Sequence, residues 1–195
     1  RKSDLITFLM FNIFISRKVK SINWDITTLV LKKAIDKYMQ NNEKRILDMG
    51  CGQIAILAQY IKNKYPSNEI TAADIYKDFV ENSRFNAEKN NLDIKVIKSN
   101  LYENVKDKYD YIIFNPPYVP HSIKHKESYV KSRFSGRDGT YIVKKFLSES
   151  RNHLNRNGKI LLGINCFYIG FNKIKDIIER NNMKIKNIVS KKFNT

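Results

Sequence analysis

The chain has 195 residues, of which 42% are hydrophobic and 28% are charged, and its formal net charge at pH 7 is +17. This length suits one domain with one substantial core, and the composition excludes a disordered or fibrous protein. The positive charge fits an RNA, ribosomal or acidic protein partner, but a composition rich in Lys, Asn and Ile explains it equally well, so charge alone does not assign a function.

The first element is an apolar segment, LITFLMFNIFI, at residues 5–15. It is about half as long as a bilayer span requires, Asn12 interrupts it, and no small-residue cleavage site follows it. The next stretch, INWDITTLVLKKAI at residues 22–35, has the apolar spacing of a helix. We predict that residues 1–43 pack on the rest of the chain as an apolar segment and a helix, and we expect no membrane partner.

From residue 44 onward, short buried-strand patterns alternate with helical patterns. Strands are predicted at residues 44–49, 69–74, 94–99, 109–114, 159–165 and 184–189, and helices at residues 53–65, 77–91, 139–154 and 171–182. The alternation predicts an α/β fold with a doubly wound, mostly parallel sheet, forming a single domain at residues 44–195. In such a sheet the ligand binds beyond the carboxyl ends of the strands, where the strand order reverses.

Two candidate ligand-binding features follow the first two strands. The sequence LDMGCGQ places Asp48, Gly50 and Gly52 at a turn into a helix, where a ligand can approach free backbone N–H groups. Asp74 ends the second strand and is placed to accept hydrogen bonds from the two hydroxyls of a ribose. A helix N-cap is the alternative interpretation of Asp74.

Two further features follow the third and fourth strands. Asn100 and Leu101 end the third strand, where they could flank an adenine ring, and a turn asparagine is the alternative for Asn100. The fourth strand ends in the tetrad Asn-Pro-Pro-Tyr at residues 115–118. Because all four strand ends belong to one edge of a parallel sheet, these features are expected to share one site.

In this order, a glycine turn, an acidic residue, Asn100 and the NPPY tetrad resemble the class I S-adenosylmethionine-dependent methyltransferases. FNPPYVP resembles the motif of amino-group N-methyltransferases, which include the HemK-type release-factor glutamine methyltransferases and the N6-adenine methyltransferases. Residues 45–192 resemble the compact archaeal and eukaryotic HemK-like branch, in which a glycine-rich segment, here residues 136–139, opens the next helix. The resemblance implies a Rossmann-like fold and S-adenosylmethionine as cofactor. The residues expected to contact that cofactor are Asp48, Gly50, Gly52, Asp74, Asn100, Leu101 and Asn115.

The tetrad suits methyl transfer to a planar amino group. The nitrogen of such a group is a weak nucleophile, so positive charge develops on it as the methyl group arrives. We predict that the Asn115 side-chain oxygen and the Pro116 carbonyl accept hydrogen bonds from its two N–H groups, and that Tyr118 stacks on the planar group. The prolines restrict φ and hold the acceptors in place. These three residues are the predicted catalytic residues.

Three functions fit these features. The first is an N-methyltransferase acting on a glutamine side-chain amide of a protein such as a release factor, and the second applies the same chemistry to adenine N6 in RNA or DNA. The third, a non-catalytic RNA- or ribosome-binding module, is disfavoured by the intact tetrad. No target-recognition extension is visible, which favours docking on a folded partner, such as a ribosome-associated protein, or help from a small activating subunit.

The sequence departs from the family pattern in three ways. Gln53 and Ile54 stand where a third glycine is usual, and the stretch before the first strand lacks the expected proline. The pattern also stops after a sixth strand, so we expect the final antiparallel strand to be missing or replaced by the N-terminal apolar segment. A long basic segment at residues 121–137 is predicted to be a lid or a substrate-docking element.

Cysteine and histidine are scarce. Cys51 and Cys166 lie far apart, no CxxC pair is present, and the chain has three histidines. This pattern favours neither a disulfide framework nor a metal site. We therefore expect a reduced, cytoplasmic protein that uses no metal.

Overall fold

Five parallel strands form the centre of the fold in the computed structural model, which describes residues 2–15, 25–118 and 135–191. The strands are β1 (Arg45–Met49), β2 (Glu69–Asp74), β3 (Lys95–Lys98), β4 (Tyr109–Phe114) and β5 (Leu154–Leu162). The helices are α1 (Lys2–Phe11), α2 (Ile26–Tyr38), α3 (Ile56–Lys64), α4 (Lys77–Lys89), α5 (Tyr141–Ser150) and α6 (Phe171–Arg180).

The strand order is β3-β2-β1-β4-β5, with every neighbouring pair parallel. The chain moves outward from β1 to β3 and then returns to the other side of β1 with β4. The order therefore reverses between β1 and β4, whose last residues, Met49 and Phe114, are register partners. This confirms the predicted doubly wound α/β fold and defines the edge at which a ligand is expected.

Helices cover both faces of the sheet. Since consecutive strand residues point to opposite sides, neighbouring residues of one strand enter different cores. Ile46 and Ile113 belong to the core under α2 and α3, whereas Leu47 and Ile112 belong to the core under α5 and α6, and all four side chains are fully buried. Central strands buried on both faces read as continuous apolar runs, which explains why β1 and β4 could be recognised in the sequence.

The N-terminal apolar segment packs on the face covered by α3. Phe11 and Ile13 are buried, and the Phe11 ring meets Tyr60 edge-on at a centroid distance of 5.9 Å. Asn90 bonds both backbone groups of Phe14 at 2.8 Å. Along the described part of the chain, no helix has the length and apolar character that crossing a bilayer requires. The division of the chain at residues 43 and 44 stays a prediction.

Two strand predictions need correction. Residues 184–189 were predicted to form a sixth strand, but they join no sheet among the described residues, and Ile185 and Ile188 are exposed, so no apolar face drives pairing. The fifth strand runs over residues 154–162 rather than 159–165. Its register with β4 shifts where Tyr109 pairs with Leu154 and Tyr111 with Lys159.

The helices also differ at their ends. A helix was predicted at residues 139–154, but α5 ends at Ser150 and a 3-10 turn, Arg151–His153, leads into β5. The N-terminal segment is helical at Lys2–Phe11 and so does not replace an antiparallel strand. Most of the predicted lid, residues 121–134, lies outside the described residues.

Candidate active site

The turn after β1 lies against the end of β4. Gly50 and Gly52 have φ values of +62° and +71°, a backbone region that favours glycine. A Cβ atom at Gly50 would lie 3.1 Å from the Phe114 ring, so a side chain there would crowd the residue that precedes the tetrad. At Gly52 a Cβ atom would meet no atom of the described residues within 4 Å. The turn is therefore closed on its inner side and open at Gly52.

Asp74 ties the turn to the ends of β2 and β3. Its carboxylate accepts hydrogen bonds from the backbone N–H groups of Gly52 at 2.8 Å and Tyr76 at 3.0 Å, and its carbonyl accepts from Ser99 at 2.8 Å. The side chain is 6% exposed, and burial raises its pKa. The N-cap residue of α4 is Tyr76, so Asp74 braces the turn instead of capping the helix.

Asp48 lies deeper than Asp74. It is 3% exposed, and its carboxylate accepts a hydrogen bond from the Ala58 N–H at 3.1 Å. Burial, with a smaller contribution from the negative charge of Asp74, raises the pKa of Asp48 to about 7. Asp48 therefore connects β1 to the first turns of α3 behind the glycine turn.

Asn100 and Leu101 form a turn after β3. The Asn100 amide donates to the Glu103 carboxylate at 2.8 Å, which matches the turn interpretation of this asparagine. Leu101 is buried with φ +50°, and its carbonyl accepts from the Ser99 hydroxyl at 2.6 Å. Through Ser99, this turn is joined to Asp74. An adenine contact by Asn100 or Leu101 stays a prediction.

Asn115 leaves β4 with its side-chain amide held on one side. The amide nitrogen lies 3.3 Å from both the Asp25 carboxylate and the Thr28 hydroxyl. The side-chain oxygen Oδ1 is buried and has no hydrogen-bond partner among the described residues. A carboxylate only accepts hydrogen bonds, so the N–H side of the amide is the side that faces Asp25. One buried acceptor is thereby left for another donor.

Tyr118 is anchored through its hydroxyl group. The hydroxyl donates to the second oxygen of Asp25, and the Thr27 hydroxyl lies 3.4 Å from it. The ring is 7% exposed and stacks on Tyr168 at a centroid distance of 5.7 Å. Pro116, between the two anchored residues, is buried. Stacking of Tyr118 on a substrate stays a prediction.

The glycine-rich segment packs directly on the tetrad. Gly139 has φ +74°, and a Cβ atom there would lie 2.5 Å from the Tyr118 carbonyl oxygen. The preceding residue, Asp138, accepts from the Thr140 N–H and hydroxyl groups and pairs with Lys173 at 2.7 Å. These contacts fix the start of α5 against the loop that carries the predicted catalytic residues.

The structure thus places the predicted residues along one sheet edge. The glycine turn contacts Phe114, Gly52 is bonded to Asp74, and the tetrad follows β4. Sequence reasoning missed Asp25, Thr28 and Tyr168. Asp25 and Thr28 form a capping box at the start of α2, a pattern visible in the sequence, whereas their contacts with the tetrad were not.

Comparisons with known proteins support this picture. The family described as methyltransferase small domain matches residues 21–192. A Methanocaldococcus jannaschii protein whose name assigns it protein N5-glutamine methyltransferase activity is 35% identical over 134 residues, covering 68% of this chain and 65% of that protein. The ribosomal RNA small subunit methyltransferase C of Pasteurella multocida is 28% identical over 168 residues, covering 86% of this chain and 44% of that protein.

A solved structure has the same fold. The crystal structure of a methyltransferase from Pyrococcus furiosus superposes with a TM-score of 0.68 at 24% identity, covering 93% of this chain and 82% of that one. This chain spans less than two thirds of the length of both curated relatives, at 65% and 44%. The likeness therefore covers the catalytic fold rather than the whole length of those proteins.

Proposed function

The chain belongs to the methyltransferase small domain family, and from that premise we propose that it transfers a methyl group from S-adenosylmethionine to a planar amino nitrogen. The first candidate is a glutamine side-chain amide of a protein such as a release factor. The observation that carries the proposal is the buried Oδ1 of Asn115 at the end of β4, which has no hydrogen-bond partner among the described residues.

Two observations support binding of S-adenosylmethionine by these residues. In the described part of the chain, no atom lies within 4 Å of a Cβ position at Gly52, beside the turn after β1. The side-chain oxygen of Gln53, the next residue, is a second buried acceptor without a partner among the described residues. An unpartnered buried acceptor costs about 1–3 kcal/mol, so a bound group that donates N–H bonds would recover that energy. Gly50, Gly52 and Asp74, with Asp48 behind them, would hold this cofactor, and Asn100, Leu101 and Asn115 would border it.

When bound, the cofactor supplies an electrophilic methyl group on a positively charged sulfur. The protein's part is to hold the nitrogen that receives it. Asn115 Oδ1 and the Pro116 carbonyl would accept from the two N–H groups, which favours the more positive nitrogen of the transition state over the neutral ground state. Because the proton can leave after transfer, no strong general base is needed beside the tetrad.

A second substrate class, RNA, is favoured by one observation, and adenine is the base that the tetrad suggests for it. The relative named as a ribosomal RNA methyltransferase covers more of this chain than the glutamine methyltransferase relative does, 86% against 68%. The net charge of +17 would also assist phosphate binding. Adenine presents the same planar amino group, so the tetrad would serve both substrates and the docking surface would distinguish them.

The compartment and partners follow from the same proposal. Both cysteines are free thiols, and Cys166 is exposed, which suits a reducing cytoplasm. The substrate would be a release factor, a ribosome-associated protein or RNA. A small activating subunit would supply the docking surface if the chain alone proves inactive.

The test uses cofactor labelled in its methyl group. The protein is incubated with it in a cytoplasmic extract, which also supplies any activating subunit, and the product is digested with protease or ribonuclease. Mass spectrometry of hydrolysates then distinguishes N5-methylglutamine from N6-methyladenosine. We expect methylglutamine, with an initial rate of labelling about 10²-fold lower for the Asn115→Ala variant. Label in neither product with the wild-type protein would refute the proposed function.

A further inference from the structure

The start of α2 meets the tetrad through one carboxylate. We propose that Asp25 is a positioning residue, which fixes the Asn115 amide and the Tyr118 ring in the arrangement that methyl transfer needs. The inference rests on the proposed function and adds to it a residue outside the tetrad. Asp25 lies 90 residues before Asn115 and 93 before Tyr118.

Asp25 accepts more hydrogen bonds than its role as a helix cap requires. Its Oδ1 atom accepts from the Thr28 N–H at 3.0 Å, the Thr28 hydroxyl at 3.2 Å and the Asn115 amide at 3.3 Å. Its Oδ2 atom accepts from the Tyr118 hydroxyl. The first two bonds cap α2 and are local, whereas the other two join the helix to both ends of the tetrad.

The orientation of Asn115 depends on this carboxylate. With Asp25 present, turning the amide over would place Oδ1 against a second acceptor, which is unfavourable. Without Asp25, the Thr28 hydroxyl loses the acceptor to which it donates at 3.2 Å and becomes free to donate to Asn115. The amide could then turn over and its oxygen would be occupied by Thr28. Asp25 therefore keeps Oδ1 available for a substrate.

The negative charge contributes as well as the geometry. A hydrogen bond to a carboxylate is stronger than one to a neutral acceptor, and it polarises the amide that donates it. Polarisation of the Asn115 amide makes Oδ1 a better acceptor for a nitrogen that is becoming positive. The Tyr118 hydroxyl, held by the same carboxylate, keeps the ring against Tyr168.

Two substitutions separate positioning from capping. In Asp25→Ser the hydroxyl still caps α2, because serine is a good N-cap residue, but it is too short to reach Asn115 and Tyr118. In Asp25→Asn the side-chain oxygen still accepts from Thr28 and Asn115, while its amide nitrogen can donate to the Tyr118 oxygen. Asp36→Ser is the matched control, because Asp36 lies on the same helix and pairs with Lys32 and Lys64.

The expected result is a split between kcat and cofactor affinity. A misplaced catalytic contact costs about 10²-fold in rate, so Asp25→Ser should lower kcat on that scale while the Kd for the cofactor stays unchanged. Asp25→Asn should restore most of kcat, and Asp36→Ser should leave it at the wild-type value. An Asp25→Ser protein with wild-type kcat would overturn the proposal, as would equal loss of kcat and cofactor affinity in both Asp25 variants.

A second readout is independent of activity. In amide NMR spectra the two side-chain N–H protons of Asn115 should be shifted and protected from exchange in the wild type, and should lose both properties in Asp25→Ser but not in Asp36→Ser. If the wild type transfers no methyl group, the proposed function fails and these signals still decide the anchoring role. Unchanged Asn115 signals in Asp25→Ser would overturn it.

Discussion

Gly139 offers a direct test of the contact between the glycine-rich segment and the tetrad. In Gly139→Ala the new Cβ atom would lie 2.5 Å from the Tyr118 carbonyl oxygen, 3.2 Å from its carbon and 3.3 Å from Ile169 Cγ1. Real Cβ atoms do not approach closer than about 3.0 Å, and the nearest atom belongs to the backbone. The Tyr118 peptide must therefore move by about 0.5 Å or more, which is the difference between these two distances.

Two costs add in this variant. A left-handed backbone costs a residue with a Cβ atom about 1–2 kcal/mol, and relief of the overlap costs about 1–3 kcal/mol. The sum is roughly 2–5 kcal/mol, and each kcal/mol lowers the Tm of a chain of this size by about 2–4 °C. Gly136→Ala is the matched control, since its φ is +70° and, among the described residues, its Cβ would meet only Tyr141, whose side chain is largely exposed.

The two variants should differ most in kcat. A displacement of about 1 Å near reacting atoms can cost 10²-fold in rate, so a shift of half that size at Tyr118 should cost Gly139→Ala about tenfold or more. Gly136→Ala should lose stability but keep its kcat. The Tm of each variant is determined first by thermal unfolding, and methyl transfer is then measured on fresh protein at a temperature below both Tm values. Equal kcat values for the two variants would refute the reasoning that Gly139 positions the tetrad.

Four further outcomes are expected. Gly163→Ala should lose about 1–3 kcal/mol in urea unfolding, because its Cβ would lie 2.7 Å from a methyl group of α2. Gly170→Ala, whose Cβ would meet no described atom within 4 Å, should keep its stability, and equal loss would contradict the packing argument. Asn115→Ala should bind cofactor normally in calorimetry but lower kcat by about 10²-fold, and full turnover would remove it from the catalytic set. Asp74→Ala should weaken cofactor binding by about 1–3 kcal/mol, and an unchanged Kd would place the ribose elsewhere. Folding raises the pKa of Asp48 from 3.8 to about 7, so between these pH values the folded state retains a proton that the unfolded chain loses. Stability should therefore fall as the pH rises through this window, by at most about 1.4 kcal/mol per pH unit. Asp48→Asn should lack this slope, and parallel pH profiles of the two proteins in urea unfolding would contradict the prediction.

The strands that could be predicted from the sequence are those whose environment leaves a strong local pattern. β1, β2 and β4 are apolar runs buried in the sheet, and their predicted limits agree with the structure to within one residue. The fifth strand was placed late because its first half, from Leu154 to Gly158, is polar and contains the register shift. The sixth was wrong because alternation of Ile and Lys at residues 184–189 resembles a strand, although no described neighbour pairs with it.

The site was predictable in position but not in its internal contacts. Strand ends and glycines define the sheet edge locally, whereas the bonds from Asp25 to Asn115 and Tyr118 join residues at least 90 positions apart. The same limit explains why the ring of Tyr118 was expected to matter and its hydroxyl was not. A hydroxyl that donates to the half-buried carboxylate of Asp25, 93 residues earlier in the chain, has a structural role that no local pattern reveals.

The missing third glycine shows how the structure accommodates a departure from the usual turn. A helix was predicted from residue 53, but α3 begins at Ile56 because Ala55 has φ +47° and ψ +49°, which is left-handed and cannot continue a right-handed helix. That conformation costs an alanine about 1–2 kcal/mol. The longer turn also leaves the Gln53 side-chain oxygen buried without a partner among the described residues, as Asn115 is at the end of β4. The unpaired acceptors of Gln53 and Asn115 thus lower the stability of the fold at two points of one sheet edge. An unpaired buried acceptor calls for a partner such as a ligand or water. Because the oxygens of Gln53 and Asn115 lie along one sheet edge, unpaired among the described residues, they argue for a bound molecule with N–H donors more strongly than the glycine pattern does.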